Sequence, residues 1–272
     1  MRSRRSLFVL TLAIGLALAT QAQASDLRLQ HAGCGFSTDY AAQMGDHGLS
    51  FERAGDRPVS VLMHDGSLRV DGHAVAVSDA DAARLREYEH DVRTLLPEVA
   101  DIAREGLDIG FSAMTTVAAT FTEDADQRQR MLATLKAKQV VALEQLDRVV
   151  RSGSWKQDEI GRIVEDGVEG SVDELVGAVT ADAMKATLSG DQRRIAALEA
   201  RADSLDKALN REVEARVGRL DQRAQALCPR LSALEQLQQQ FQFRLPDGSR
   251  LQLMSLDRDS HDQGRRDKLA SR

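Results

Sequence analysis

At Ser78 the hydrophobic pattern of this chain changes period, from two residues to about 3.6. Such a change confines the fold to a β part and a helical part, each with its own way of burying an apolar face. Before it, from Asp26 to Ser78, the pattern is short, alternating and broken by glycine. Leu27 and Leu29, then Phe36, Thr38 and Tyr40, then Leu49 and Phe51 alternate with polar neighbours. Val59, Val61 and Met63, then Leu68 with Val70, and Val75 with Val77, complete an expected meander of about five strands.

After it, Ser78 is a good N-cap, with Asp81 three residues on as a weaker form of the capping-box acid. Leu85, Tyr88, Val92, Leu95, Val99 and Ile102 step along one helix face, and Pro97 is expected to kink or restart that helix. The uncharged run "IGFSAMTTVAATF" (109–121) is too short to span a bilayer and reads as a buried core helix. Gly106 and Gly110 form a GxxxG, which carries little information outside an apolar 20-mer.

Further helices are expected over 124–151 and 157–188, the second weakened by Gly161, Gly167 and Gly170. The longest stripe follows: Ile195, Leu198, Ala202, Leu205, Leu209, Val213, Val217, Leu220, Ala224, Leu227, Leu231, Leu234 and Leu237. Its steps of three and four are coiled-coil-like, with a stutter at 209–217 and an expected break at Pro229. The chain then turns β again in "FQFRLPDGSRLQL". Pro246-Asp247-Gly248 reads as a three-residue loop that opposes Phe243 to Leu251 and Phe241 to Leu253.

The expected fold is therefore α+β: an N-terminal antiparallel β-meander and a C-terminal β-hairpin, with a long, mostly helical, bundle or coiled-coil-like region between them. The boundaries run 1–24 for a signal peptide, 25–78 for the β region, 79–240 for the helices, 241–256 for the hairpin and 257–272 for a disordered tail. Both β segments are expected to join one sheet.

The signal-peptide reading rests on Arg2, Arg4 and Arg5, the apolar run from Leu7 to Ala19, and Ala22-Gln23-Ala24 before Ser25. Cleavage there removes three arginines and no acid, taking the formal charge from −6 to −9. An acidic balance argues against binding a phosphate backbone, so nucleic acid is not an expected partner. No transmembrane segment is expected after cleavage, and the arginine-rich leader points to bacterial export into the periplasm. In that oxidising compartment two cysteines, Cys34 and Cys228, are most simply one disulfide. Lipidation at Cys34 is the competing reading. His31 and the polar residues 21–30, which separate Cys34 from the apolar run, argue against it.

Candidate chemistry is sparse. "HDGSLRVDGH" (64–73) holds two histidines and two aspartates, but Asp65-Gly66 and Asp71-Gly72 are each a two-residue turn signal. The resulting register pairs His64 with Ser67, Val61 with Val70 and Val70 with His73, which sends the histidines to opposite faces. In "EYEHD", Glu87, His90 and Asp91 have ligand spacing, yet no second Glu-x-x-His occurs to complete a site. A solvated helix face is the expectation there. His31, His47 and His261 have polar surroundings and no partners in sequence. Asp108, beside the apolar run, is read as a snorkelling or capping residue before a buried acid. The chain has no G-x-S-x-G, no Walker loop and no G-x-G-x-x-G, and Trp155 is its one tryptophan. No catalytic, cofactor-binding or metal-ligating residue is assigned, and no cofactor is expected.

The order of features resembles a known family. An early cysteine before "FSTDY", the run "GSLRVDGHAVAVSDADAARLREYEHDVRTLLPEV" and the late "ALCPRLSALEQLQQQFQFRLPDG" look like the YggN-like proteins of gammaproteobacteria. The most specific elements are the L-x-V-D-G hairpin, the set Tyr88, Val92, Arg93, Leu96 and Pro97, and the late Leu-Cys-Pro. Members of that family have no established function, so the resemblance supports export and the pairing of Cys34 with Cys228 and transfers no catalytic residue. The leading expectation is a non-enzymatic periplasmic protein that binds another envelope protein, or itself, through residues 195–237. A small-ligand or lipid carrier with an apolar cavity near residues 102–121 is the alternative, and a metal-dependent hydrolase is least favoured.

Overall fold

The computed structural model describes residues 34–55, 58–156, 159–188, 190 and 192–256, all within one compact unit that starts at residue 32. The signal-peptide segment, Leu27, Leu29, His31, His261 and the tail from 257 lie outside the described residues.

The β part is built from local turns. Strands β2 (Ala41–Gly45), β3 (Gly48–Glu52), β4 (Ser60–His64), β5 (Ser67–Val70) and β6 (His73–Val75) pair antiparallel in sequence order. Asp65 and Asp71 take φ of 46° and 47°, and Gly66 and Gly72 take 80° and 79°. Both central residues of each turn are thus left-handed, the type I′ geometry that matches the twist of the flanking strands. The register is the one the Asp-Gly turns imply: Val61 opposes Val70, Met63 opposes Leu68, and Val70 opposes His73. One face carries buried Leu49, Phe51, Val61, Met63, Leu68 and Val70; the other carries Gln43, Glu52, His64, Ser67 and Arg69, all exposed.

Two strands were not expected. β2 reads Ala-Ala-Gln-Met-Gly, with no β-branched residue, and is defined by its pairing rather than by propensity. β7 (Ser154–Trp155) arrives from the helical region and pairs with β2, Trp155 opposite Ala42, to make the sixth strand. It is delivered by Gly153, at φ 65°, whose missing side chain lets the chain approach β2; a Cβ there would lie 2.2 Å from the Met44 carbonyl oxygen.

The helices are α1 (Asp79–Phe121), α2 (Ala125–Ser152), α3 (Glu159–Leu188), α4 (Gln192–Ala226) and α5 (Cys228–Gln239). α1 starts where expected, with the Ser78 side chain accepting from Asp81 N. It continues through Pro97 without a break, contrary to the expected kink or restart. Pro97 faces solvent while Leu95 and Ile102 stay buried on the opposite side, so packing holds the helix across the lost hydrogen bond. The run 109–121 is accordingly the last third of α1 and not a helix of its own.

Two cores follow from this. Residues 85–102 of α1 cover the sheet together with Leu227, Leu234 and Leu237 and the C-terminal arm. Residues 103–118 of α1 pack with α2 and α3 around Leu107, Phe111, Leu135, Ala142, Leu146 and Leu175. Gly110 and Gly167 sit at close crossings, 3.3 Å from Val168 and 3.1 Å from Ala142 as measured from an added Cβ.

The C-terminal arm turns at Pro246-Asp247-Gly248, where Leu245 N donates to Ser249 O. Phe241, Phe243, Leu251 and Leu253 are buried and Gln242, Arg244, Arg250 and Gln252 exposed, the division the hairpin reading implies. The two arms do not form a ladder, however, because a side chain takes the place of a strand. Gln238 Oε1 accepts from Leu253 N and Met254 N, and its Nε2 donates to Met254 O. The end of the arm, β8 (Ser255–Leu256), then pairs with β1 (Phe36–Ser37) in a sheet separate from the six-stranded one. Beside that pair Cys34 is joined to Cys228 at the start of α5, across 194 residues.

Two stability predictions follow. Gly153→Ala should lower stability by at least ~1 kcal/mol, more than Gly→Ala in an open turn, because both the backbone angle and the Met44 carbonyl oppose the new methyl. A urea midpoint unchanged from wild type would refute this. Reduction of Cys34–Cys228 should cost up to about 5 kcal/mol in the chain-entropy model for so long a loop. Reduced wild type and a Cys34→Ala, Cys228→Ala variant should then share one denaturation midpoint.

Candidate functional site

The Asp-Gly turns do not bring their two histidines together. His64 and His73 fall on opposite faces of the β4–β5–β6 ladder and both are exposed. The two aspartates have structural partners: Asp71 Oδ1 accepts from Val59 N and Ser60 N at 2.8 and 2.9 Å, and Asp65 Oδ1 accepts from Arg86 Nε. His73 Nδ1 lies 2.9 Å from the Asp71 carbonyl oxygen within its own turn. Among the described residues no three His, Cys, Asp or Glu side chains converge as a metal would require.

"EYEHD" forms part of α1, with Glu87 and His90 exposed. The residue that matters structurally there is Glu89, which sequence reasoning passed over: it is buried, accepts from Arg93, and also accepts from Asp65 N, tying the first turn to the helix. Asp108 is half-buried and accepts from Gln139 Nε2 at 2.9 Å, a link between α1 and α2. His47 is exposed at the β2–β3 turn.

Asp81 carries the heaviest polar duty. Its Oδ1 accepts from Gln242 N at 3.0 Å and from Arg84 at 2.9 Å, and its Oδ2 accepts from the Ser78 hydroxyl. Burial alone would raise its carboxyl, but the Gln242 N–H, Arg84 and Ser78 outweigh that and hold it below the usual carboxylate value. Deep in the same core, burial raises the phenol of Tyr88 far above its ordinary range. These are groups that join segments; none faces a cleft.

A cleft of about 570 Å³ opens between α2 and α3 beside β7 and is lined by Arg148, Ser152, Ser154, Lys156, Glu159 and Asp166, among others. It holds both signs of charge and no histidine to activate either serine. Within 102–121, Ala103, Leu107, Phe111, Met114 and Ala118 pack into the second core.

The stripe expected over 195–237 divides in two. α4 ends at Ala226 and α5 begins at Cys228 with Pro229 in its first turn, so the expected break is present. Leu227, Leu234 and Leu237 are buried against the sheet, whereas Ile195, Leu198, Leu205 and Val213 are only half-covered and Ala202 and Val217 are exposed. The side chain of Leu209 lies outside the description.

A more open surface lies on α3. Glu165, Asp166, Glu169, Asp173, Val176, Thr180, Ala181, Met184 and Leu188 recur at helical spacing on one exposed face. Its first half is acidic and its second half apolar, with Val176 56 %, Met184 58 % and Leu188 83 % exposed. Periodicity alone could not reveal this, since glycines interrupt the pattern and an exposed apolar face has the same spacing as a buried one.

The buried carboxylate gives a pH prediction. Asp81→Asn should destabilise by about 1–3 kcal/mol at neutral pH, having lost the charged acceptor shared by Arg84 and Gln242. With its folded pKa depressed, Asp81 contributes fully above the ordinary carboxylate range and loses that contribution as pH falls through its folded value. The gap between wild type and variant in urea titrations should therefore narrow on acidification; a constant gap would contradict the assignment.

A family model described as a protein of unknown function, DUF2884, matches residues 34–254. No curated protein and no solved structure matches the chain. The family match runs from the first disulfide cysteine to the last residues of the returning arm, and the chain belongs to the DUF2884 family of proteins of unknown function.

Proposed function

We propose that this is an exported, non-enzymatic protein of the bacterial envelope, related to the YggN-like proteins, that binds another envelope protein through its helical region. The observation that carries this reading is the outward face of α3 from Val176 to Leu188, where Val176, Met184 and Leu188 are exposed among the described residues. Small residues at Gly177, Thr180 and Ala181 on that face would let a second helix approach closely. The half-covered residues 195–217 of α4 offer further apolar surface for the same partner. Export and the periplasm are supported by the basic, apolar and Ala-Gln-Ala order of residues 2–24 and by the disulfide, which persists in an oxidising compartment. No helix among the described residues is long and apolar enough to cross a membrane. The carrier alternative has less to support it, because Leu107, Phe111, Met114 and Ala118 are occupied in core packing.

The test is photo-crosslinking in cells. A photoreactive residue at Val176 or Met184 should capture the same envelope protein, while one at exposed Glu52 on the sheet should not. Capture no greater from the α3 positions than from Glu52 would sink this reading.

A further inference from the structure

Helix α2 carries a second uncovered face, and its charges are ordered. Leu135, Ala142, Leu146 and Val149 point into the core. On the opposite side, Asp126, Arg130, Ala133, Ala137, Val140, Val141, Glu144, Arg148 and Arg151 fall within about 100° of arc at 100° per residue, and all are exposed. The middle of this face is apolar, with Val140 41 % and Val141 52 % exposed. Its ends are charged, by Asp126 and Arg130 at one and by Glu144, Arg148 and Arg151 at the other.

We infer that α2 pairs with α2 of a second copy, antiparallel, about a two-fold axis midway between Ala137 and Val140. The motive is the opposition of charge at the two ends of this face. Asp126 and Arg151 lie equally far from that point, as do Ala137 and Val140. A two-fold axis there opposes Asp126 to Arg151 of the second copy, twice, and sets Arg130 between the other copy's Glu144 and Arg148. Ala137 meets Val140 at the centre, where the small side chains allow close approach of the axes. A parallel pairing would instead set Asp126 against Asp126 and Arg151 against Arg151, so like charges select the antiparallel arrangement. Each copy offers the same patch, as a closed dimer requires. The α2 face is separate from the α3 face of the proposed function, and either can fail without the other.

One helix pair buries less than the ~1,600 Å² typical of stable complexes, so the dimer is weak and depends on concentration. Sedimentation velocity on the mature, disulfide-bonded protein should show the mass moving from one copy toward two as concentration rises. Val140→Glu with Val141→Glu, both on the exposed face, should leave the circular dichroism spectrum unchanged and weaken association by at least about tenfold. Asp126→Arg or Arg151→Asp alone should weaken it as well, and the two swaps together in one chain should restore it. A wild type that stays monomeric at every concentration, or a Val140/Val141 variant that associates as wild type does, overturns the inference. So does a double swap no better than either single one.

Discussion

Most of this structure depends on one helix serving two cores. α1 lays Leu85, Tyr88, Val92 and Leu95 on the sheet, then Leu107, Phe111 and Met114 among α2 and α3. As in most proteins, the stability of this helix comes chiefly from apolar burial, here along both halves, rather than from propensity. That explains why Pro97 leaves it intact: one lost backbone bond and a displaced carbonyl are small beside the contacts on either side. It also means that the sheet and the bundle are not independent modules, since each needs the other's share of α1.

The second constraint is the closure of the chain's described ends. Cys34–Cys228, the β1–β8 pair, Gln238 on the returning arm and Asp81 beneath Gln242 all gather residues 34–38 and 238–256 onto the start of α1 and α5. The polar members of this group are buried and satisfied by backbone donors. A satisfied buried acceptor contributes modestly to stability, but it penalises every alternative packing that leaves it unpaired. Phe241 and Phe243, stacked at 5.1 Å, could slide along an apolar groove; Asp81 and Gln238 fix where they stop.

What could be read in advance was local. Each Asp-Gly specifies its own turn, and two turns in ten residues set the register of three strands. Ser78 and Asp81 mark a helix start by short-range capping alone. What escaped was decided at long range. β2 has no strand-forming residue and exists because β3 and β7 flank it. The C-terminal arms were read as paired strands from their alternation, yet alternation reports only that one face is buried. Gln238, the first of three consecutive glutamines, gives no sign that its amide supplies the missing ladder. The apolar stripe of 195–237 was correct as a pattern but silent about its destination, and half of it is covered by the chain's own sheet and α1.

The candidate surfaces escaped for a related reason. Hydrophobic periodicity identifies a face without saying whether anything covers it, and here the faces that matter are interrupted by charge or glycine. Among the described residues the large exposed apolar side chains, apart from Val59, lie on α2, α3 and α4. The sheet end is sealed by the C-terminal arm, and its buried acids bind backbone; the helical end leaves its outer faces open. An isolated exposed apolar side chain such as Val59 is ordinary on a protein surface, whereas Val140 and Val141 on α2, and Val176, Met184 and Leu188 on α3, are grouped. That grouping, with charge beside it, is what the proposed associations would use: apolar contact for affinity, and charge to choose partner and direction.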